Sequence, residues 1–359
     1  MKGVKMSVNV NLLSELIRMK PVSKDIAAVN RAEDRMKEYL ESNGLFCTME
    51  IINGRHTLFA STEQGRTPDF LLNAHMDVVP GEDEQFVPRI EGKRMYARGT
   101  ADCLGSCVAI ADVLIELKDK ASCGAIFTAD EEIGGSTSGG MVKLGYGAKK
   151  CILVVDAMFD KLVYFQKGII AIEVIMHSKT GGGHASYPWA FDNPIDRLVD
   201  GYVRLRSSWI QPTAEAQWSN SMTPCIISGG CVHNQIPGTA SMMLNIRYMK
   251  ADDREKILKL IKEETKCDEL REFEGCVPVE TDPNVPVIQR LIKVMSRHFG
   301  KDIPCVRMNG ATDARYFAEL NVPLAMVGVN GVGEHSPCEY AELDSYDTVS
   351  AYLREFILG

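Results

Sequence analysis

The sequence predicts an α/β fold, a mixed, largely parallel sheet with helices on both faces, interrupted by an inserted α+β domain. Three observations predict it. Between Asp69 and Asp156, apolar runs of strand length alternate with stretches of helical period, the pattern of parallel strands covered by helices. At Lys167-Gly168 that alternation stops, and as far as about Pro278 the order becomes β-α-β-β-α-β, which is that of a ferredoxin-like domain. The earlier alternation then resumes, with a helix over Val287–Phe299 and a strand over Val322–Val327. Residues 1–167 and 279–359 are therefore expected to form one discontinuous domain, with residues 168–278 inserted in it.

Taken in order, Leu12, Leu13, Leu16 and Ile17 recur at helical spacing, and Pro21 ends that helix. A second helix is expected over Ala27–Asn43, closed by Gly44. Phe46–Ile52 and His56–Ala60 read as strands about Asn53-Gly54, a strong hairpin signal, with His56 as a structural residue of the alternating pattern. Leu71–Ala74 is a strand ending at His75. Asp102 opens a helix in which Leu104, Val108, Ala111 and Ile115 form an apolar stripe. Ala125–Ala129 ends at Asp130-Glu131-Glu132, Cys151–Val155 ends at Asp156, and the strand over Val322–Val327 leads through a glycine-rich loop to His335. In the insert the expected elements are strand Ile169–His177, helix Pro194–Ser207, strands Pro224–Ser228 and Ala240–Tyr248, helix Asp252–Thr265 and strand Glu272–Val279.

The 359 residues are too many for one ordinary core. A formal charge of -8 without any basic run excludes nucleic acid or an anionic membrane as the main partner, because both reward clustered Lys and Arg. No apolar stretch approaches the ~20 residues that span a bilayer. The 11 cysteines are scattered and include no C-x-x-C pair, which fits reduced thiols better than disulfides or a zinc knuckle. Met1-Lys2-Gly3-Val4-Lys5 leads into polar residues and not into an apolar signal segment, so a cytoplasmic location is expected.

In open α/β sheets, sites form beyond the carboxyl ends of the strands, and the flagged acidic and histidine residues fall there. In Asn73-Ala74-His75-Met76-Asp77, extended backbone lets His75 and Asp77 project to one side. That arrangement suits a metal-binding imidazole with an orienting carboxylate. Two imidazoles and several carboxylates without paired cysteines suit zinc, with cobalt or manganese as alternatives. Two zinc ions would bring four positive charges. Ligands Asp102, Glu132 and Asp156 would offset three, and a bridging hydroxide would offset the fourth. Glu131, left over beside a ligand, is placed to take a proton from activated water and deliver it to a leaving amine.

These motifs together resemble the co-catalytic zinc metallopeptidase and deacylase family, which includes aminoacylase, acetylornithine deacetylase, succinyl-diaminopimelate desuccinylase, glutamate carboxypeptidase and tripeptidase. The resemblance rests on His75-x-Asp77, Ala97-Arg98-Gly99-Thr100-Ala101-Asp102, Asp130-Glu131-Glu132-Ile133-Gly134-Gly135, Asp156 and His335, in that order over nearly the whole chain. It implies that His75, Asp102 and Asp156 hold one metal and that Asp102, Glu132 and His335 hold the other, with Asp102 bridging. It also implies that Asp77 orients His75, that Glu131 is the general base and acid, and that the Asp102-Cys103 peptide is cis. In the insert, Gly183-His184-Ala185-Ser186 resembles the family's oxyanion histidine motif, which often reaches across a dimer of lids. Asn234 and Arg247 resemble substrate-binding residues, and Gly310-Ala311-Thr312-Asp313-Ala314-Arg315 resembles a further motif near the site. This chain departs from the family pattern at Leu104, where Lys is common, at Asn245, where Asp is common, and at Gly328-Val329-Asn330, where Gly-Pro-Gly is common. His177, His233 and His298 have no ligand-like company.

The implied function is cleavage of an amide bond in small peptides by an aminopeptidase or dipeptidase-like exopeptidase. An N-acyl amino acid deacylase is the alternative, and a peptide-binding member without catalysis is a third reading. The lean to free amino termini comes from Asp156, since the family's tripeptidases and dipeptidases carry Asp there and its carboxypeptidases and deacylases carry Glu. The expected partners are a small peptide or N-acyl amino acid and a second copy of the chain, in a homodimer through the lid.

Overall fold

The computed structural model describes residues 8–273 and 275–359. Met1 to Lys5, read above as lacking a signal segment, lie outside the described residues. The described residues divide into two compact units, one of residues 8–165, 280–308 and 312–359, the other of 166–273 and 275–279 with 309–311.

In the first unit, α1 (Val10–Arg18) starts at Asn9 and α2 (Ile26–Ser42) at Asp25, each cap side chain accepting a backbone N–H of the first turn. Then follow β1 (Phe46–Ile52), β2 (Arg55–Ser61), β3 (Phe70–His75), β4 (Arg89–Glu91), β5 (Arg94–Tyr96), α3 (Leu104–Leu117), β6 (Cys123–Thr128), α4 (Ser136–Lys143), β7 (Cys151–Val155) and β8 (Leu162–Gln166). In the second unit come β9 (Gly168–His177), β10 (Gly183–His184), α5 (Pro194–Ser208), β11 (Ser221–Gly229), β12 (Gln235–Ile236), β13 (Thr239–Tyr248), α6 (Asp253–Thr265) and β14 (Glu269–Glu272). The chain returns through β15 (Val279–Glu280), α7 (Pro286–Phe299), β16 (Cys305–Met308), α8 (Ala314–Phe317), β17 (Leu324–Val327), β18 (Gly331–Val332), β19 (Tyr340–Glu342) and α9 (Leu343–Leu358).

The main sheet runs β1-β2-β6-β3-β7-β17-β8-β15, with β16 also on β8. Its centre is parallel, β6 to β3, β3 to β7 and β7 to β17, and antiparallel pairs flank it. Those four central strands are buried at every residue, as expected of a sheet covered on both faces. Leu58, Ala60, Leu72 and Ala74 pack with α1, α2, α3, α7 and α9 in one apolar cluster. The alternate residues, Phe59 and Leu71 among them, turn to the opposite face, where α4 packs on β2 and β6 and α8 on β17. A small sheet, β18-β19-β5-β4, stands apart from the main one.

The second unit is an antiparallel sheet in the order β11-β13-β9-β14, with α5 and α6 over a core of Ile172, Val174, Leu205, Leu244 and Ile261. This is the ferredoxin-like arrangement, and it makes the fold an α/β protein with a separate antiparallel lid sheet. The last strand of the unit is corrected from the sequence reading. It pairs with β9 over Glu269–Glu272, while Val279–Glu280 joins the main sheet. Gly275 and Pro278, which weaken a strand by backbone freedom and by a missing donor, fall between the two.

Gly201 lies where α5 meets α6, and a Cβ there would stand 2.7 Å from the Thr265 carbonyl oxygen and 3.0 Å from its Cα. Because backbone cannot swing aside as a side-chain tip does, Gly201→Ala is expected to cost about 1–3 kcal/mol. Denaturant unfolding measures it, and an unshifted midpoint would show that the helices separate freely.

Candidate metal centre and catalytic site

The carboxyl ends of β6, β3, β7 and β17 lie side by side, and each leads into a residue of the site. His75 closes β3, Glu131 and Glu132 follow β6 in a 3-10 turn, Asp156 follows β7, and the loop beyond β17 reaches His335. Asp102 enters from the loop before α3, across a cis peptide to Cys103, as the resemblance implies.

Asp102 offers one oxygen to each imidazole. Its Oδ1 is 2.9 Å from His75 Nε2 and its Oδ2 is 3.1 Å from His335 Nε2. Asp156 Oδ1 stands 3.9 Å from His75 Nε2, and Glu132 Oε2 stands 3.0 Å from His335 Nε2. The side chains thus gather into two groups, His75, Asp102, Cys103 and Asp156 in one and Asp102, Glu132 and His335 in the other, with ligand atoms within 4.8 Å in each. A cavity of about 150 Å³ opens over Asp102 and Asp156, with Ser106, Gly328 and Glu334 also in its wall. His335 holds left-handed backbone at φ 61°, a conformation that a non-glycine residue keeps where its surroundings fix it.

The arrangement is short of positive charge. Burial raises the carboxyls of Glu132 and Asp156 above their ordinary range, His75 opposing in both cases. Glu132 Oε1 is buried without a hydrogen-bond partner. A cation in each group satisfies both conditions, so the residues fit a pair of metal ions. Cys103, which the sequence reading did not weigh as a ligand, is fully buried, and its thiol donates to the Val155 carbonyl at 3.3 Å. Burial, with Asp156 adding, pushes that thiol well up.

Asp77 touches both His75 and the turn after β6. The nearer acceptor for His75 Nδ1 is the Asp77 main-chain carbonyl at 2.8 Å, with carboxylate Oδ1 at 3.5 Å. The Asp77 carboxylate instead accepts the backbone N–H groups of Glu131 at 3.0 Å and Glu132 at 3.3 Å. One buried side chain thereby sets the turn that carries both glutamates.

The sequence reading also missed Glu339 and Arg98. Glu339 Oε1 accepts from the N–H groups of Gly99, Ala101 and Asp102 at 2.9, 3.0 and 3.2 Å, and its Oε2 accepts from Arg98 Nη1 at 2.7 Å. Both side chains are buried. The small sheet brings them together, since Glu339 precedes β19 and Arg98 follows β5, its neighbour.

Three candidates, His184, Asn234 and Arg247, lie in the second unit. His184 is exposed on β10, which pairs with β12 so that His184 faces Gln235, and the Asn234 carbonyl accepts the Ala185 N–H. The Ser186 N–H donates to His184 Nδ1 at 3.1 Å, so the neutral ring carries its proton on Nε2. Arg247 lies on β13, where its Nε donates to Asn245 Oδ1 at 3.1 Å.

Two imidazoles and two carboxylates gathered around one shared aspartate make a candidate ligand set for a two-metal hydrolase. The description of Peptidase family M20/M25/M40 matches residues 71–359, and the chain belongs to that family. It is accordingly a metallohydrolase of the peptidase or deacylase kind, with the family's dinuclear site. A succinyl-diaminopimelate desuccinylase of Sulfurovum sp. (strain NBC37-1) is 24% identical, the match covering 97% of this chain and 98% of that one. Among solved structures, the metallo-carboxypeptidase Sso-CP2 from Sulfolobus solfataricus superposes with a TM-score of 0.81 at 18% identity, covering 97% of this chain and 98% of that one. The aminopeptidase PepT from Bacillus cereus does so with a TM-score of 0.80 at 16% identity, covering 98% and 99%. At those identities the structural likeness speaks to the fold alone. Among the described residues, no helix is long and apolar enough to cross a membrane.

Proposed function

We propose that the protein is a two-zinc exopeptidase that cleaves an amide bond in small peptides with a free amino terminus. The observation that carries the hydrolase reading is Asp102, one oxygen toward each imidazole. His75, Asp102 and Asp156 would hold one ion and Asp102, Glu132 and His335 the other, with cobalt or manganese as alternatives to zinc. When bound, the ions supply Lewis acidity and an acidified water. Glu131, which is outside both ligand groups, takes that water's proton and passes it to the leaving nitrogen. His184, with its proton on Nε2, donates to the carbonyl oxygen as negative charge develops there. Asn234 and Arg247 bind the substrate, Arg247 through a carboxylate.

The choice of a free amino terminus rests on Asp156. A side chain one methylene shorter than glutamate would hold its ion nearer β7 and would leave space for an amine. The desuccinylase relative, matched over nearly its full length, favours the second reading, an N-acyl amino acid deacylase. Matched di- and tripeptides with free, acetylated and succinylated amino termini separate the two. Faster kcat/KM on the free set is expected, and faster turnover of an acylated set gives the deacylase its place. A chelator should abolish either activity and zinc should restore it. Turnover that survives chelation would end the metal reading.

We also infer a homodimer through the lid. Strand β11 is an edge, with Ile226 and Ile227 each 61% exposed, and α5 exposes Val199 and Val203. An exposed apolar edge strand is a ready pairing surface. Sedimentation is expected to show a dimer, with His184 acting across it. A fully active monomer would exclude this arrangement.

A further inference from the structure

We propose that Arg315 is the residue that positions the Glu131 carboxylate, with Asp313 as its anchor. The proposal rests on the role given above to Glu131. Arg315 Nη2 stands 3.4 Å from Glu131 Oε1 and 3.9 Å from Asp313 Oδ1, and all three side chains are at most 12% exposed. Asp313 is fixed through its other oxygen, which accepts from Thr128 Oγ1 at 2.6 Å. Thr128 is the last residue of β6, the strand that leads to Glu131. The strand that delivers the base therefore also anchors the base's counter-charge.

The far end of the same turn is tied to the same short helix. Tyr316 Oη donates to the Gly134 carbonyl at 2.5 Å. Gly135, at φ 72°, packs so closely that a Cβ would lie 2.5 Å from Asp313 Oδ1 and 2.8 Å from Arg315 Nη2. Asp77 sets the Glu131 backbone from one side while Arg315 sets its carboxylate from the other. A guanidinium suits this task because it is planar and always charged. Without it, the carboxylates of Glu131 and Asp313 would face each other in a buried setting. A base that must collect and return one proton needs its oxygen held in place, and a displacement of about 1 Å can cost on the order of 10²-fold in rate.

The test uses the zinc-loaded full chain and the free-amino tripeptide that it turns over fastest. Arg315→Met is expected to lower kcat by about 10–100-fold with KM within about twofold, zinc content unchanged, and partial recovery in Arg315→Lys. In the Glu131→Gln background, Arg315→Met should add no further loss. A rise in KM with kcat unchanged would make Arg315 a substrate contact and overturn the proposal. So would wild-type activity in Arg315→Met, or an undiminished further loss in the Glu131→Gln background. If Arg315→Met does not accumulate as folded protein, Arg315→Lys carries the test, with a lowered kcat at unchanged KM expected and wild-type kinetics overturning it. A readout independent of turnover is the thermal midpoint of the zinc-free chain. At a pH well above the value of about 8 that burial gives Glu131 in the zinc-free chain, Arg315→Met should lower it more in the wild-type background than in Glu131→Gln, where the facing charge is gone, and equal drops would overturn the pairing. That cycle reads the pair even if no peptide is hydrolysed, so failure of the peptidase reading is told apart from failure of this one.

Discussion

If the proposed roles hold, Glu131→Ala is expected to keep the fold and the bound metal while lowering kcat by about 10²–10⁴-fold, the usual contribution of general acid and base work. Glu131 is not in either ligand group, so its removal leaves the donors at His75, Asp102, Glu132, Asp156 and His335 in place. Burial raises its pKa to about 8, with Asp313 adding to the rise and His75 and Arg315 opposing it. Glu131→Gln, which preserves shape, should be as slow as the alanine variant with KM little changed. Near-wild-type turnover in either would place the base elsewhere. His335→Ala should behave in the opposite order, losing zinc first and activity as a result. Metal content measured alongside kcat distinguishes the two patterns.

Glu339→Ala should have the largest effect on stability. Arg98 and Glu339 form a buried pair at 2.7 Å, and taking away one member of such a pair costs about 3–5 kcal/mol because the other charge is left buried without compensation. The same substitution frees the N–H groups of Gly99, Ala101 and Asp102, so the loop that aims Asp102 loses its mount. Asp102 serves both ligand groups, and zinc affinity should therefore fall at both sites together. Denaturant unfolding of the zinc-free chain reads the first effect and competition with a chelator reads the second. Glu339→Gln, which retains an acceptor oxygen, should lose less of each. Zinc affinity unchanged in Glu339→Ala would show that Asp102 is held by other means.

The candidate ligands were legible in the sequence because His75, Glu132 and Asp156 follow apolar strands and Asp102 opens a helix, while His335 was reached through a glycine-rich loop and the resemblance grouped the five. The lid was legible for the same reason apart from its last strand, which pairs over Glu269–Glu272 and not over Glu272–Val279. What supports the site was legible only in part, through the Gly310-Ala311-Thr312-Asp313-Ala314-Arg315 motif that the resemblance placed near it. Glu339 bonds to an arginine and three amides some 240 positions earlier, and Arg315 reaches Glu131 from 184 positions away. Neither pairing leaves a periodic trace, since each is created when distant loops are brought together. Asp77 shows a subtler limit. The His-x-Asp spacing located it correctly beside His75, but extended-strand geometry could not show that its carboxylate would serve the following turn's amides.

The place of β17 in the main sheet has a consequence for how the molecule is made. This strand, drawn from residues 324–327, is parallel to β7 on one side and antiparallel to β8 on the other, so the two earlier strands meet only through it. A nascent chain that has left the ribosome only as far as residue 320 holds β7 with an open edge and lacks the means to seat β8. His335 is later still, so only one of the two ligand groups is complete at that point. Open strand edges invite pairing with other chains. Fragments that stop before β17 should thus gather into aggregates, and the step that closes the sheet is one that only nearly finished translation permits.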